Sequence, residues 1–191
     1  MTRLRVFTAD DGDTPVLDTS DPKWIGDALK RIGVRYERWP LRDTAGAETD
    51  AVLTAYAPEI DKLKAEQGYQ SVDIIGVTPD HPDRAAMREK FLSEHRHSED
   101  EVRFFVAGEG LFTLRTDDDR IHAVLCTAGD LISVPAGMRH WFDMGPEPSF
   151  TVIRLFENPD GWVAKFTGDA IADRFPRHEG GAGEPKTNRS S

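Results

Sequence analysis

From Glu101 onward the chain reads as short strands divided by turns: RFFVAGEG, LFTLRTDDD, IHAVLCTAGD, LISVPAGMRHW and SFTVIRLFE follow one another. β-Branched and aromatic residues fill each stretch, and Gly, Pro or Asp interrupts them at intervals of about ten residues. A strand this short cannot bury a face by itself, so the series predicts a mainly β fold, an antiparallel sandwich or barrel. Gly108 and Gly110 fit one hairpin, residues 117–119 fit another, and Pro135 with Gly137 fits a turn just before His140.

Residues 1–90 mix strands and helices. Residues 2–8 alternate as a strand does, and DDGDT then supplies a turn. Asp21 and Pro22 open a helix that Gly33 stops, the aspartate capping free N–H groups and the proline preset for the first turn. Residues 34–41 read as another strand. Val52, Leu53, Tyr56, Ile60 and Leu63 then recur at helical spacing, while Pro58 divides their segment into two helical pieces. SVDIIGV from Ser71 has the composition of a buried strand, and residues 82–91 form a short helix introduced by Asp80. Residues 176–191 are polar, rich in Gly and without apolar periodicity, which predicts a disordered tail after a single domain spanning 1–175. His178, within that tail, is not an expected ligand.

The short helix leads into EHRHSEDE, residues 94–101. Side chains on a strand alternate faces, so His95 and His97 point the same way, and Glu101 joins them if the segment stays extended or turns tightly. Local chain rarely encloses a cation, so a further ligand must arrive from a distant segment, and His140 is the candidate. Each residue alone has an ordinary reading: a lone histidine is more often a core or surface residue, and SEDE resembles a solvated charge run. Their combination points to a metal, because imidazole and carboxylate are donors that divalent transition metals accept.

The composition narrows the remaining classes. With 191 residues, 38% of them hydrophobic, the chain suits one domain with a substantial core. Its net charge of -10 repels phosphate backbones and anionic headgroups, which disfavours nucleic acid and membrane surfaces as partners. The single cysteine, Cys126, excludes an internal disulfide framework and a multi-thiolate metal cage, and its setting predicts a buried, unreactive thiol. No apolar run approaches the roughly 20 residues of a spanning helix, and MTRLRVFTADDGD lacks the apolar stretch of a signal peptide. A cytoplasmic protein is expected, and a monomer, since no long apolar face stands out.

His95, His97, Glu101 and Gly108 follow H-x-H-x3-E-x6-G, and Gly129, Pro135, Gly137 and His140 follow G-x5-P-x-G-x2-H. Together these resemble the two motifs of the cupin superfamily. Two departures are visible: Glu89 stands where the first motif begins with glycine, and Met144 where the second ends with asparagine. Neither position is a metal ligand. Within the cupins, FLSEHRHSEDEVRFFVAGEGLF from Phe91 and the late FENPDGWVAKFTGD resemble the acireductone dioxygenase family, over most of residues 34–176.

That resemblance implies a cupin-type antiparallel β-barrel, the double-stranded β-helix or jelly roll, with several N-terminal helices. It implies one divalent metal, Fe(2+) or Ni(2+), held by His95, His97, Glu101 and His140. The implied reaction joins O2 to 1,2-dihydroxy-3-keto-5-methylthiopentene in methionine salvage. With iron the products are formate and 4-methylthio-2-oxobutanoate; with nickel they are methylthiopropionate, formate and carbon monoxide. Arg103 reads either as a grip on the substrate enediolate or as a surface partner for Glu99, Asp100 and Glu101, and the resemblance favours the grip, for Arg154 as well. Phe91, Phe142 and Trp162 are candidates for an apolar wall around the methylthio group, or for core. Glu94 and Asp100 are candidates for orienting a ligand histidine, or equally for solvated surface carboxylates. Two other classes share the ligand set: another metal-dependent cupin oxygenase or isomerase, and a non-catalytic cupin that binds metal or a small ligand.

Overall fold

A computed structural model describes residues 1–158 and 163–179. Ahead of the histidines the chain forms β1 (Arg3–Thr8), β2 (Leu17–Thr19), α1 (Pro22–Arg31), β3 (Arg35–Arg38), α2 (Thr49–Ala55), α3 (Ala57–Gln67), β4 (Ser71–Val77) and α4 (Arg84–Leu92). Then follow β5 (His95–Arg96), β6 (Glu101–Arg115), β7 (Arg120–Thr127), β8 (Asp130–Val134), β9 (Arg139–Asp143), β10 (Phe150–Phe156), β11 (Lys165–Phe166) and a 3-10 turn at Ile171–Arg174.

Among the described residues all strand pairings are antiparallel, and they form two sheets. One runs β11-β5-β9-β6-β7-β1-β2; the other runs β3-β8-β6-β10-β4. The long strand β6 belongs to both: residues 101–108 pair with β8 and β10, and residues 109–115 pair with β7 and β9. Here the sequence expectation of a hairpin at Gly108 and Gly110 is corrected. The chain does not reverse there; it bends from one sheet into the other while its ladder partners change on both sides. Gly108 adopts φ 75°, and a Cβ on it would sit 1.9 Å from the Ser149 carbonyl oxygen, so the bend is reserved for glycine. Opposite it, the register with β10 slips so that Val106 has no partner, the extra residue of a bulge.

The other turns fall where expected. Asp119, at φ 56°, closes the β6–β7 hairpin, and Gly137, at φ 79°, turns the chain ahead of His140. The Gly137 N–H donates to the His97 carbonyl at 2.9 Å, which ties that turn to the histidine loop. In α1 the Asp21 carboxylate accepts from the N–H groups of Lys23 and Trp24, and the helix stops before Gly33. The split around Pro58 appears as α2 and α3. α4 starts two residues later than predicted, behind Asp83, because residues 81–84 are held in turns to the Thr78 and His81 carbonyls. β4 is half-buried rather than buried, since it forms the edge of its sheet with β10 as its one strand neighbour.

Leu4, Phe105, Phe112, Val124, Ile132 and Phe150 belong to one buried cluster between the sheets, with Cys126 among them. A second joins Trp39, Tyr56, Ile60, Leu63, Phe104 and Leu155, packing α2 and α3 on the outer face of the β8–β10 sheet. Of the segment after Pro176, residues 176–179 are described: the buried His178 donates its N–H to Asp143 at 2.8 Å and its carbonyl accepts from Arg88. The tail expected beyond it lies outside the described residues. No helix of the described residues is long and apolar enough to cross a membrane.

Buried His122 on β7 sets one acid sensitivity. Burial pushes its pKa down to about 4, partly offset by Asp118 and reinforced by Arg120. A base with a depressed native pKa leaves the folded state binding fewer protons than the unfolded one. Its contribution is therefore full above about pH 6.5 and is lost as pH falls towards 4, on the order of 3 kcal/mol in total. Urea unfolding at pH 7.5 and pH 5 should show that loss shrinking in His122→Leu; an equal loss in both proteins would remove His122 as its source.

Candidate metal centre

β5 and β9 meet at one register point, where His95 lies opposite His140. His97 follows two residues later in the loop, and Glu101 opens β6, held against β8. The four side chains each present one ligand atom, and these atoms all lie within 4.8 Å of one another. Glu101 Oε2 is 2.7 Å from His140 Nε2 and 3.1 Å from His97 Nε2. Sequence reasoning brought these four together by spacing and motif, and the barrel places them in one cluster.

Protonation follows from the neighbours. His95 Nδ1 lies 2.7 Å from the Ser93 carbonyl and His140 Nδ1 2.8 Å from that of Met138. A carbonyl can only accept, so each Nδ1 carries a proton and each Nε2 is the ring nitrogen that faces the cluster. Burial and the adjoining His140 push the His95 pKa down to about 4, keeping that ring neutral at pH 7. Burial alone would raise Glu101, but Arg103 and hydrogen bonds with His140 and His97 outweigh it and hold the carboxyl well below the ordinary range. Glu101 Oε2 and His140 Nε2 thus stand 2.7 Å apart, two metal-ligating atoms converging on one point. Neutral imidazoles and an ionised carboxylate are the state in which such side chains bind a divalent metal, so the residues fit one.

A cavity opens beside the cluster, bounded by His95, His97, Glu101, Arg103 and Arg154 on its polar side. Arg103 Nη2 donates to Glu101 Oε1 at 2.9 Å, and the side chain is nearly buried, which places it inside the barrel. Arg154 lies opposite Arg103 in the β6–β10 ladder, with its guanidinium held bidentately by Asp73 at 2.8 and 2.5 Å. Phe91 and Phe142 line the apolar side; Trp162 lies outside the described residues.

The two carboxylates considered as histidine partners sit elsewhere. Buried Glu94 accepts from the Thr167 hydroxyl at 2.7 Å and pairs with Arg115 at 3.4 Å, holding the β11 segment beside His95. Asp100 accepts from the Tyr69 hydroxyl and from the Ala136 N–H, both at 3.0 Å, and so braces the turn before His140. Backbone carbonyls, not these carboxylates, orient His95 and His140. The sequence reading missed Phe105, Phe112, Phe150 and Val152 as cavity wall and Asp73 as the anchor of Arg154. For Phe105 a signal existed: it continues the alternation Glu101, Arg103, Phe105 on one face of β6.

A sequence model of the ARD/ARD' family matches residues 3–164. An acireductone dioxygenase of Hahella chejuensis is 53% identical over 94% of this chain and 97% of its own length. One of Stutzerimonas stutzeri is 54% identical over 93% and 98%. Among solved structures, the acireductone dioxygenase from Bacillus anthracis with a cadmium ion in its active centre superposes with a TM-score of 0.77 at 28% identity, over 87% of this chain and 98% of that one.

Proposed function

This chain belongs to the acireductone dioxygenase family, and from that premise we propose how its own residues carry the reaction. It is a metal-dependent dioxygenase of cupin fold acting in methionine salvage on acireductone, 1,2-dihydroxy-3-keto-5-methylthiopentene, and O2. The observation that carries the residue assignment is the convergence of His95, His97, Glu101 and His140, the first three of them lining a cavity that also holds an inward Arg103.

In this reading the four side chains hold one divalent metal, Fe(2+) or Ni(2+), whose Lewis acidity would bind the substrate dianion and orient it. Arg103 keeps Nη2 on Glu101 and donates from Nη1 to the Val102 carbonyl at 3.1 Å, and its other N–H groups are offered to the enediolate, fixing its orientation through a planar, permanently charged donor. Arg154, already engaged by Asp73, adds positive charge to the same wall without gripping. Phe91 and Phe142 exclude water and take the methylthio end, with Trp162 as a third candidate. An outward Arg103 would have suited a non-catalytic binding cupin; its burial beside Glu101 favours the enzyme. All four candidate ligands come from one chain, so a single protomer can hold the metal, and we take a monomer in the cytoplasm as the acting unit.

Metal choice decides the products in this proposal: iron for formate and 4-methylthio-2-oxobutanoate, nickel for methylthiopropionate, formate and carbon monoxide. Protein reconstituted with each metal, mixed with acireductone under O2, should release formate in both cases and carbon monoxide with nickel alone. Absence of formate with either metal would sink the reading. Arg103→Met should keep its metal while kcat/KM for acireductone falls by about a hundredfold, the size of loss when one oriented charge-stabilising donor is removed. Metal analysis beside steady-state kinetics separates this from loss of the ion.

A further inference from the structure

Three residues of α4, Met87, Lys90 and Phe91, line the substrate cavity. Positions i, i+3 and i+4 share one stripe of a helix, so Lys90 is turned to the cavity by the same geometry as its two apolar neighbours. Arg88 leaves the helix on another face, and its bidentate grip on Asp143, at 2.7 and 3.0 Å, fixes α4 against β9. Among the described residues that line the cavity, Lys90 alone is exposed, and the others are buried or half-buried. It therefore marks the mouth. The two lining arginines are already matched by carboxylates, Arg103 by Glu101 and Arg154 by Asp73. Lys90 has no ion pair among the described residues.

We infer that Lys90 is a substrate-binding residue, the cation that draws anionic acireductone into the mouth of the cavity on its way to the metal end. The inference rests on the dioxygenase reading. The chain carries a net charge of -10, so an anion approaching it meets repulsion and enters only where the local potential is positive. A cleft with apolar, low-dielectric walls concentrates the field of an unmatched charge at its opening, whereas a guanidinium already matched by a carboxylate projects little beyond it. Lys90 also has reach. Its ammonium sits on a flexible four-carbon stem, so it can follow the anion from solvent to the wall without giving up a partner. Farther in, Arg103 and the ligand residues take over. A lysine in the last turn of a helix has an ordinary role as well, complementing the helix dipole, but that role acts on stability and not on the binding of an anion.

The test measures kcat and KM of the metal-loaded enzyme for acireductone at low and high salt, and KM for O2 at saturating acireductone. Lys90→Met keeps most of the stem and removes the charge. It should raise KM for acireductone by about tenfold at low salt and leave kcat and the KM for uncharged O2 within about twofold, the pattern of a lost binding interaction. In about 1 M salt the Debye length shrinks to about 3 Å, and the difference in KM should fall to about twofold. Lys90→Arg should restore the parent KM. Lys23→Met removes an exposed lysine of α1 that does not line the cavity, and should leave KM unchanged. An equal KM in Lys90→Met and the parent, with or without a fall in Tm, would overturn the inference, as would a rise that persists at high salt or one that Lys23→Met matches. A parent enzyme that consumes no O2 would overturn the dioxygenase reading, and the inference with it.

Discussion

His140→Ala is expected to strip the protein of metal and reduce dioxygenase turnover to background while the barrel still folds. His140 supplies one of four ligand atoms that lie within 4.8 Å of one another, and its Nε2 is the nitrogen nearest the Glu101 carboxylate. Disturbing outer partners of a ligand typically weakens metal affinity about 10–100-fold, and removing the ligand itself should exceed that. Thermal unfolding provides a readout independent of activity. For the parent protein, metal at about a hundred times its Kd adds about 2.7 kcal/mol, which for a chain of this size raises Tm by roughly 5–10 °C. His140→Ala should show no metal-dependent rise in Tm, and chelator should bring the parent down to its own metal-free value. Full metal occupancy with unchanged turnover in His140→Ala would refute the ligand assignment.

Asp130→Ala is expected to produce the largest loss of stability among single surface-distant changes, about 4 kcal/mol or roughly 10 °C in Tm. Fully buried at the start of β8, Asp130 gathers four segments of chain. Its Oδ1 accepts from the Tyr36 hydroxyl at 2.8 Å and from Arg38 at 2.7 Å; its Oδ2 accepts from the Thr127 N–H at 2.8 Å and from the Thr2 hydroxyl at 2.5 Å. Truncation leaves buried donors unpaired, each costing about 1–3 kcal/mol, while Arg38, which is partly exposed, regains water. The carboxylate also burdens the Tyr36 hydroxyl, whose pKa is raised by burial and then by Asp130. Urea unfolding with metal present checks the magnitude; a loss below about 1 kcal/mol would mean that water replaces the carboxylate.

Local chemistry was legible along the chain. The H-x-H-x3-E spacing and the Pro135–Gly137 turn ahead of His140 are short-range facts, and the same residues form the cluster and its supporting turn. Asp21, Pro22 and Gly33 bound α1 for reasons confined to a few neighbouring backbone groups. Gly108 was legible as a bend but not as its kind. Glycine permits φ 75°, yet whether the chain reverses or passes into a second sheet depends on β8, β10, β7 and β9, which supply the ladder partners.

Partner identity had the same dependence. Glu94 and Asp100 sit beside ligand residues in sequence, but side chains two apart share a face and adjacent ones do not, so Glu94 turns from the cluster towards Arg115 and Thr167. Asp73 and Arg154, far apart in sequence, meet because β4 and β10 pair in a register that sets them opposite each other. The sequence by itself determined the donor types, the turn positions and the family; the tertiary structure decided which side chains touch. Residue type and spacing act over a few bonds, whereas strand register decides contacts between segments, and a slip of one residue would send every side chain to the other face.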